Sequence, residues 1–149
     1  MMKKIHSILM GLTATCLLSA CECSDNGDLD GMWHITRVDS ITNGASADVR
    51  KDLKFWSFQD KLVQLFNYHT DSSKEILMAR FEHSDKLLII STPFIYNRLD
   101  GDIFLSDDSL YLLYPHGINC IPDTFTVEKL NRKKMQLSDD VVRLYFEKY

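Results

Sequence analysis

From Met32 onward, apolar residues recur with a period of two rather than 3.6. A strand turns successive side chains to opposite faces, so such alternation fits strands that lay one face on a core. Val, Ile, Phe, Tyr and Thr are frequent, and turn-forming residues break the runs at short intervals. The pattern predicts strands at 32–40, 53–59, 62–68, 75–83, 86–91, 103–105, 110–114, 124–130, 133–137 and 141–148. Hairpin turns are expected at Asp60-Lys61, Ser84-Asp85, Asn131-Arg132 and Ser138-Asp139-Asp140. The segment 41–52 holds Asn43-Gly44 and is expected to carry one helical turn at 45–51, while 115–123, with Pro115, Gly117 and Pro122, reads as irregular. Eight to ten short antiparallel strands leave a closed up-and-down barrel or a sandwich. Closure removes exposed edges, a benefit for a secreted β protein. The class is therefore all-β.

The first strand opens on Gly31-Met32-Trp33. A Gly-x-Trp here resembles the signature of the lipocalins and the wider calycin superfamily. Glycine lets the chain turn sharply, and the resemblance implies that the Trp33 indole stoppers one barrel end beneath a cation from the last strand. Arg143 is the first candidate for that cation and Lys148 the second. The residues from 31 on also resemble small lipocalin-like domains of bacterial lipoproteins. Trp56-Ser57-Phe58 stands in the second main strand, and Phe125–Leu130, Met135-Gln136-Leu137 and Leu144-Tyr145-Phe146 close the chain. The resemblance implies a lipocalin-like antiparallel up-and-down β-barrel at 31–149. The Thr-Asp-Tyr and separate arginine motifs of classical lipocalins are absent from the sequence.

The chain opens with Lys3 and Lys4, runs apolar from Ile5 to Leu18, and reaches Leu18-Ser19-Ala20-Cys21. A basic start, a short greasy stretch and small residues form a secretory signal. At roughly 14 residues the stretch falls short of the about 20 that span a bilayer. A cysteine behind the small residues resembles the lipobox of bacterial lipoproteins. That resemblance implies removal of a signal helix at 1–20, lipid on Cys21, and a flexible polar tether at 21–30. It also implies a cell-envelope address at the outer membrane, periplasmic or surface-exposed. Acidic residues behind the cysteine resemble sorting signals of some Gram-negative lipoproteins.

The formal charge of the whole chain is −4. Losing Lys3 and Lys4 with the signal lowers it by two, and an acidic chain with scattered lysines argues against nucleic acid as partner. Cys23 and Cys120 remain in an oxidising compartment as a candidate disulfide, or as two separate thiols. No His, Cys or acid set has metal-ligand spacing, and no cofactor motif is visible. Asn26-x-Asp28-x-Asp30-Gly31 mimics the start of a calcium loop, but the position of its bidentate acid holds Arg37. No Gly-x-Ser-x-Gly elbow or other activated nucleophile is present, so no enzyme is expected. Asp100-Gly101-Asp102 and Asp107-Asp108 read as turn residues.

The aromatic load leaves two interiors open, one filled by side chains and one with a pocket. Trp56, Phe58, Tyr96 and Tyr114 are the candidate lining of such a pocket. The segment 91–119 reads as an aromatic excursion over the barrel mouth or as one irregular edge strand. The expected function is a monomeric, membrane-anchored envelope lipoprotein that binds a small apolar or aromatic ligand. The alternative is a non-catalytic interaction module or accessory subunit of an envelope complex.

Overall fold

All four expected hairpin turns join antiparallel neighbours. The computed structural model describes residues 26–68 and 76–149. Its strands are β1 (Gly31–Ser40), β2 (Ser46–Asp48), β3 (Lys54–Gln59), β4 (Leu62–Asn67) and β5 (Ile76–His83), then β6 (Leu87–Tyr96), β7 (Ile103–Phe104), β8 (Asp123–Leu130), β9 (Lys134–Ser138) and β10 (Val142–Lys148). The sheet runs β10-β9-β8-β6-β5-β4-β3-β1, and β10 pairs back onto β1 from Trp33↔Lys148 to Ser40↔Val142. The result is a closed eight-strand up-and-down barrel, with β2 on β1 and β7 on β6 as extra strands.

Alternation fixes which residues point inward. Trp33 and Ile35 of β1, Trp56 and Phe58 of β3, Phe125 of β8, Met135 and Leu137 of β9, and Leu144 and Phe146 of β10 are all buried in one core. The Trp56 ring meets Phe125 at 5.8 Å and Phe146 at 5.3 Å across the barrel. Opposed large rings fill the bore of an eight-strand barrel. β3 is apolar on both faces because Phe55 is also covered from outside. His34 stacks on it at 4.8 Å, Phe66 at 5.3 Å, and Tyr149 meets its edge at 5.2 Å.

Trp33 closes one end. Its Nε1 donates to the Leu29 carbonyl at 2.7 Å, and the Lys148 ammonium lies 4.5 Å from the ring centroid. Lys148 also donates to the carbonyls of Asp28, at 2.9 Å, and Asp30. Arg143, the first candidate for this cation, faces outward and pairs with Glu128 at 3.0 Å. Strand parity separates the two: Lys148 shares its face with Leu144 and Phe146, Arg143 with Tyr145.

Four segments differ from expectation. Residues 110–114 are not a strand. Tight 3₁₀ turns at Asp107–Leu112 and Tyr114–His116 replace it, with Leu110 and Leu113 three apart turned to the core. Within 45–51 the chain is extended at Ser46–Asp48, and the helical turn follows at Arg50–Asp52. β6 runs past 91 to Tyr96 through a kink at Thr92, whose φ is 49°, and Pro93 is tolerated at that irregularity. The folded body begins inside the expected tether: Gly27–Leu29 forms a 3₁₀ turn, and Leu29 is buried. Cys21, Cys23 and the expected signal helix lie outside the described residues.

Candidate functional site

The end opposite Trp33 is occupied by the chain itself. Leu113 and Ile118, from the segment between β7 and β8, are buried in the core. Trp56 Nε1 donates to the main-chain carbonyl of His116 at 3.2 Å and fastens this plug from below. Gly117 takes a φ of 80° to turn the chain out again.

A cavity forms where the plug meets the barrel wall. β1 pairs with β3 only from Gly31 to His34, then shifts register around Thr36 and pairs with β2 from Arg37 to Asp39. β1 and β3 therefore part company near the rim. The link between β2 and β3 covers the gap, with the Val49 N–H donating to the Thr36 carbonyl at 3.0 Å. What remains is a partly open cavity of about 240 Å³. Ile35, Val38, Val49 and Val142 give it apolar walls, and Lys54, Tyr114, His116 and Asn119 bring polar groups.

His116 is the unusual member. It is 7% exposed, and its buried Nδ1 has no hydrogen-bonding partner among the described residues. Burial pushes its pKa down from 6.5 to about 4, and the charge of Lys54 acts in the same direction. The imidazole is thus neutral at pH 7. The Lys54 ammonium is held by Asp52 at 3.1 Å. Asn119 is committed to its neighbours, donating from Nδ2 to Gly117 O and to Asp139 Oδ2, both at 3.1 Å.

A histidine that folds neutral and unfolds with an ordinary pKa makes stability depend on pH. Above pH 6.5 both states are neutral and its contribution is complete. As pH falls from 6.5 to about 4 the unfolded chain takes up the proton first, and stability falls by at most about 3 kcal/mol. Urea midpoints of the native protein and of His116→Phe, compared across that window, isolate this slope from other groups. The native slope is expected to exceed that of the variant.

The four residues expected to line a pocket go to three places. Trp56 and Phe58 are core rings, 0% and 2% exposed, and do not line this cavity; Phe125, Phe146 and Phe81 pack onto them. Tyr96 lies half-exposed on the arm that β6 forms with β7, away from the cavity. Tyr114 alone of the four lines the cavity. In the sequence His116 falls within the irregular segment 115–123, near Cys120, with nothing to mark it out.

A thiol and a buried acid stand side by side at this end. Cys120 is exposed and unpaired among the described residues, and its thiol donates to the Pro122 carbonyl at 3.3 Å. Burial pushes the thiol's pKa up, with Asp123 adding to the rise, the reverse of an activated thiolate. Asp123 accepts the Asn119 N–H at 2.7 Å, and burial raises its pKa too. Among the described residues no His, Cys, Asp and Glu group could hold a metal ion.

Residues 16–149 match the model of a lipocalin-like domain family. A lipocalin-like protein from Bacteroides uniformis ATCC 8492 superposes with a TM-score of 0.60 at 21% identity, covering 83% of this chain and 100% of its own. An uncharacterized protein from Bacteroides eggerthii DSM 20697 gives 0.57 at 20% identity, covering 80% of this chain and 98% of its own. A protein from Burkholderia xenovorans gives 0.51 at 14% identity, covering 80% of this chain and 82% of its own. At these identities the likeness is one of fold. No functionally curated protein matches the chain.

Proposed function

The chain belongs to the lipocalin-like domain family, and on that premise we propose that it is a lipid-tethered envelope protein that binds one small, mostly apolar ligand without chemistry. Lipocalin-like folds are in general non-catalytic binding barrels. The observation that carries the reading is the rim cavity, with four aliphatic walls and a few polar side chains, Lys54, Tyr114 and His116 among them. Apolar walls with a few placed polar groups are the usual make-up of small-molecule sites. The bore itself is packed with rings, so the ligand site in this reading is the rim and not the barrel axis.

The anchor in this proposal rests on Lys3, Lys4, the apolar run to Leu18 and the small residues before Cys21. Globomycin, which blocks the lipoprotein signal peptidase, is expected to leave an uncut precursor in membranes, and Cys21→Ala to abolish acylation. Processing that ignores both would remove the lipid from the proposal. For the ligand, thermal shift of protein lacking residues 1–22 against fatty acids and small aromatics is expected to show stabilisation. A flat response across the panel would turn the reading to an interaction module. That second reading is favoured by one feature, the apolar face formed by Ile76, Tyr96 and Phe104 on the β5-β6-β7 arm, each 38–64% exposed.

A further inference from the structure

We propose that the tip of the β8–β9 hairpin rests on anionic lipid headgroups, so that the domain meets its membrane through one basic corner as well as through its anchor. This rests on the lipid tether proposed above, and adds the face that meets the bilayer and the headgroup charge it takes. Residues 129–134, Lys-Leu-Asn-Arg-Lys-Lys, hold four cations and no acid, in a chain whose formal charge is −4. Lys129, Arg132, Lys133 and Lys134 are all exposed. Asn131 Oδ1 accepts the N–H groups of Lys133 at 3.0 Å and Lys134 at 2.9 Å, which ties the turn. Lys129, Lys133 and Lys134 enter no ion pair among the described residues. Glu147, across from Lys134 on β10, is taken by Arg50 at 3.7 Å. Cations clustered on one tip and not neutralised by the fold set up a local field that attracts anions.

Position favours a membrane over a dissolved anion. The Lys148 N–H donates to the Lys133 carbonyl at 2.9 Å, so the tip lies at the end closed by Trp33. Arg132 reaches Asp28 at 3.8 Å while its side chain stays 92% exposed, so the tip also lies beside the first turn of the folded body. Cys21 stands seven residues before Asp28, at most about 25 Å of extended chain. With acyl chains on that cysteine, the tip can settle on the headgroups. There the attraction of basic residues to anionic lipid acts within a Debye length, about 8 Å at physiological salt. The other turns at this end, Asp60-Lys61 and Asp85-Lys86, each balance a lysine with an aspartate, so contact concentrates on one corner. Asp100, Asp102, Asp107, Asp108, Asp139 and Asp140 stand at the opposite end, which the same headgroups repel.

The test places the processed full chain on vesicles of phosphatidylcholine, alone or with roughly one-third phosphatidylglycerol. Lysines are acetylated with a water-soluble reagent, and the rate at each is read by mass spectrometry. Lys129, Lys133 and Lys134 are expected to react about fivefold more slowly on the anionic vesicles than on the neutral ones. Lys51, exposed at the far end, is expected to react equally on both. High salt is expected to remove the difference. Replacing Lys133→Gln and Lys134→Gln together is expected to leave Lys129 slowed by less than about twofold. The native comparison needs no variant, so a misfolded one does not rescue the idea. Equal rates on the two vesicles overturn the headgroup contact and leave the tip a solvated turn, while flotation with both vesicles keeps the anchor. Slowing by soluble polyphosphate but not by anionic vesicles overturns it in favour of a dissolved polyanion. Failure to float with phosphatidylcholine vesicles removes the anchor and the headgroup contact together.

Discussion

Trp33→Ala is expected to destabilise the barrel by about 3–5 kcal/mol, the usual cost of removing a buried tryptophan. Trp33 is 0% exposed, and three features would be lost with it. The bond from Nε1 to the Leu29 carbonyl goes, the Lys148 ammonium loses the ring beneath it, and Leu29 faces a void. Urea denaturation followed by far-ultraviolet circular dichroism gives the number. Two companion variants locate the partner. Lys148→Met removes the cation–ring contact and the bonds to the Asp28 and Asp30 carbonyls, and is expected to cost about 1–2 kcal/mol. Arg143→Met removes a partly exposed pair with Glu128 and is expected to cost under about 1 kcal/mol. The reverse ranking, or a near-neutral Trp33→Ala, would refute the account of the closed end.

Gly117→Ala is expected to cost about 2–4 kcal/mol, large for the addition of one methyl group. Part of the cost is conformational, because a φ of 80° disfavours any residue with a Cβ. The rest is steric: a Cβ at this position would lie 2.6 Å from Leu144 Cδ2. Leu144 is 0% exposed and has no room to yield. Gly44→Ala is the comparator, since its φ of 71° is similar and its Cβ would meet nothing within 4 Å. The difference between the two measures the clash alone. Equal costs would mean that the plug does not press on β10 as described. The rim cavity should suffer with the plug, because Gly117 also lines it.

Much of the barrel was legible because its rules are local. Alternation marks β1, β3, β4 and β8 to β10, and the hairpin turns order them into a meander. The plug was misread because Leu110, Leu113 and their neighbours look like a short strand, whereas spacing by three serves a 3₁₀ turn equally well. The partner of Trp33 was within reach of the sequence. Trp33 points inward, so its cation must share the face of Leu144 and Phe146, which Lys148 does and Arg143 does not. The cavity was not within reach. It exists because β1 and β3 separate beyond the His34↔Phe55 pair and because a segment some eighty residues later folds against the gap. His116 stands out by its burial in the cavity wall, which no sequence displays.

Asn26 Nδ2 donates to the Asp60 carbonyl at 2.8 Å, so the chain leaves the folded body beside the β3–β4 turn, at the Trp33 end. From Cys21 to Asn26 there are five residues, a leash of at most about 17 Å. Acyl chains on that cysteine would plant the molecule foot down, its tryptophan-stoppered base nearest the lipid and His116 at the crown. Small molecules would then come and go from the aqueous side, with no passage through the bilayer surface.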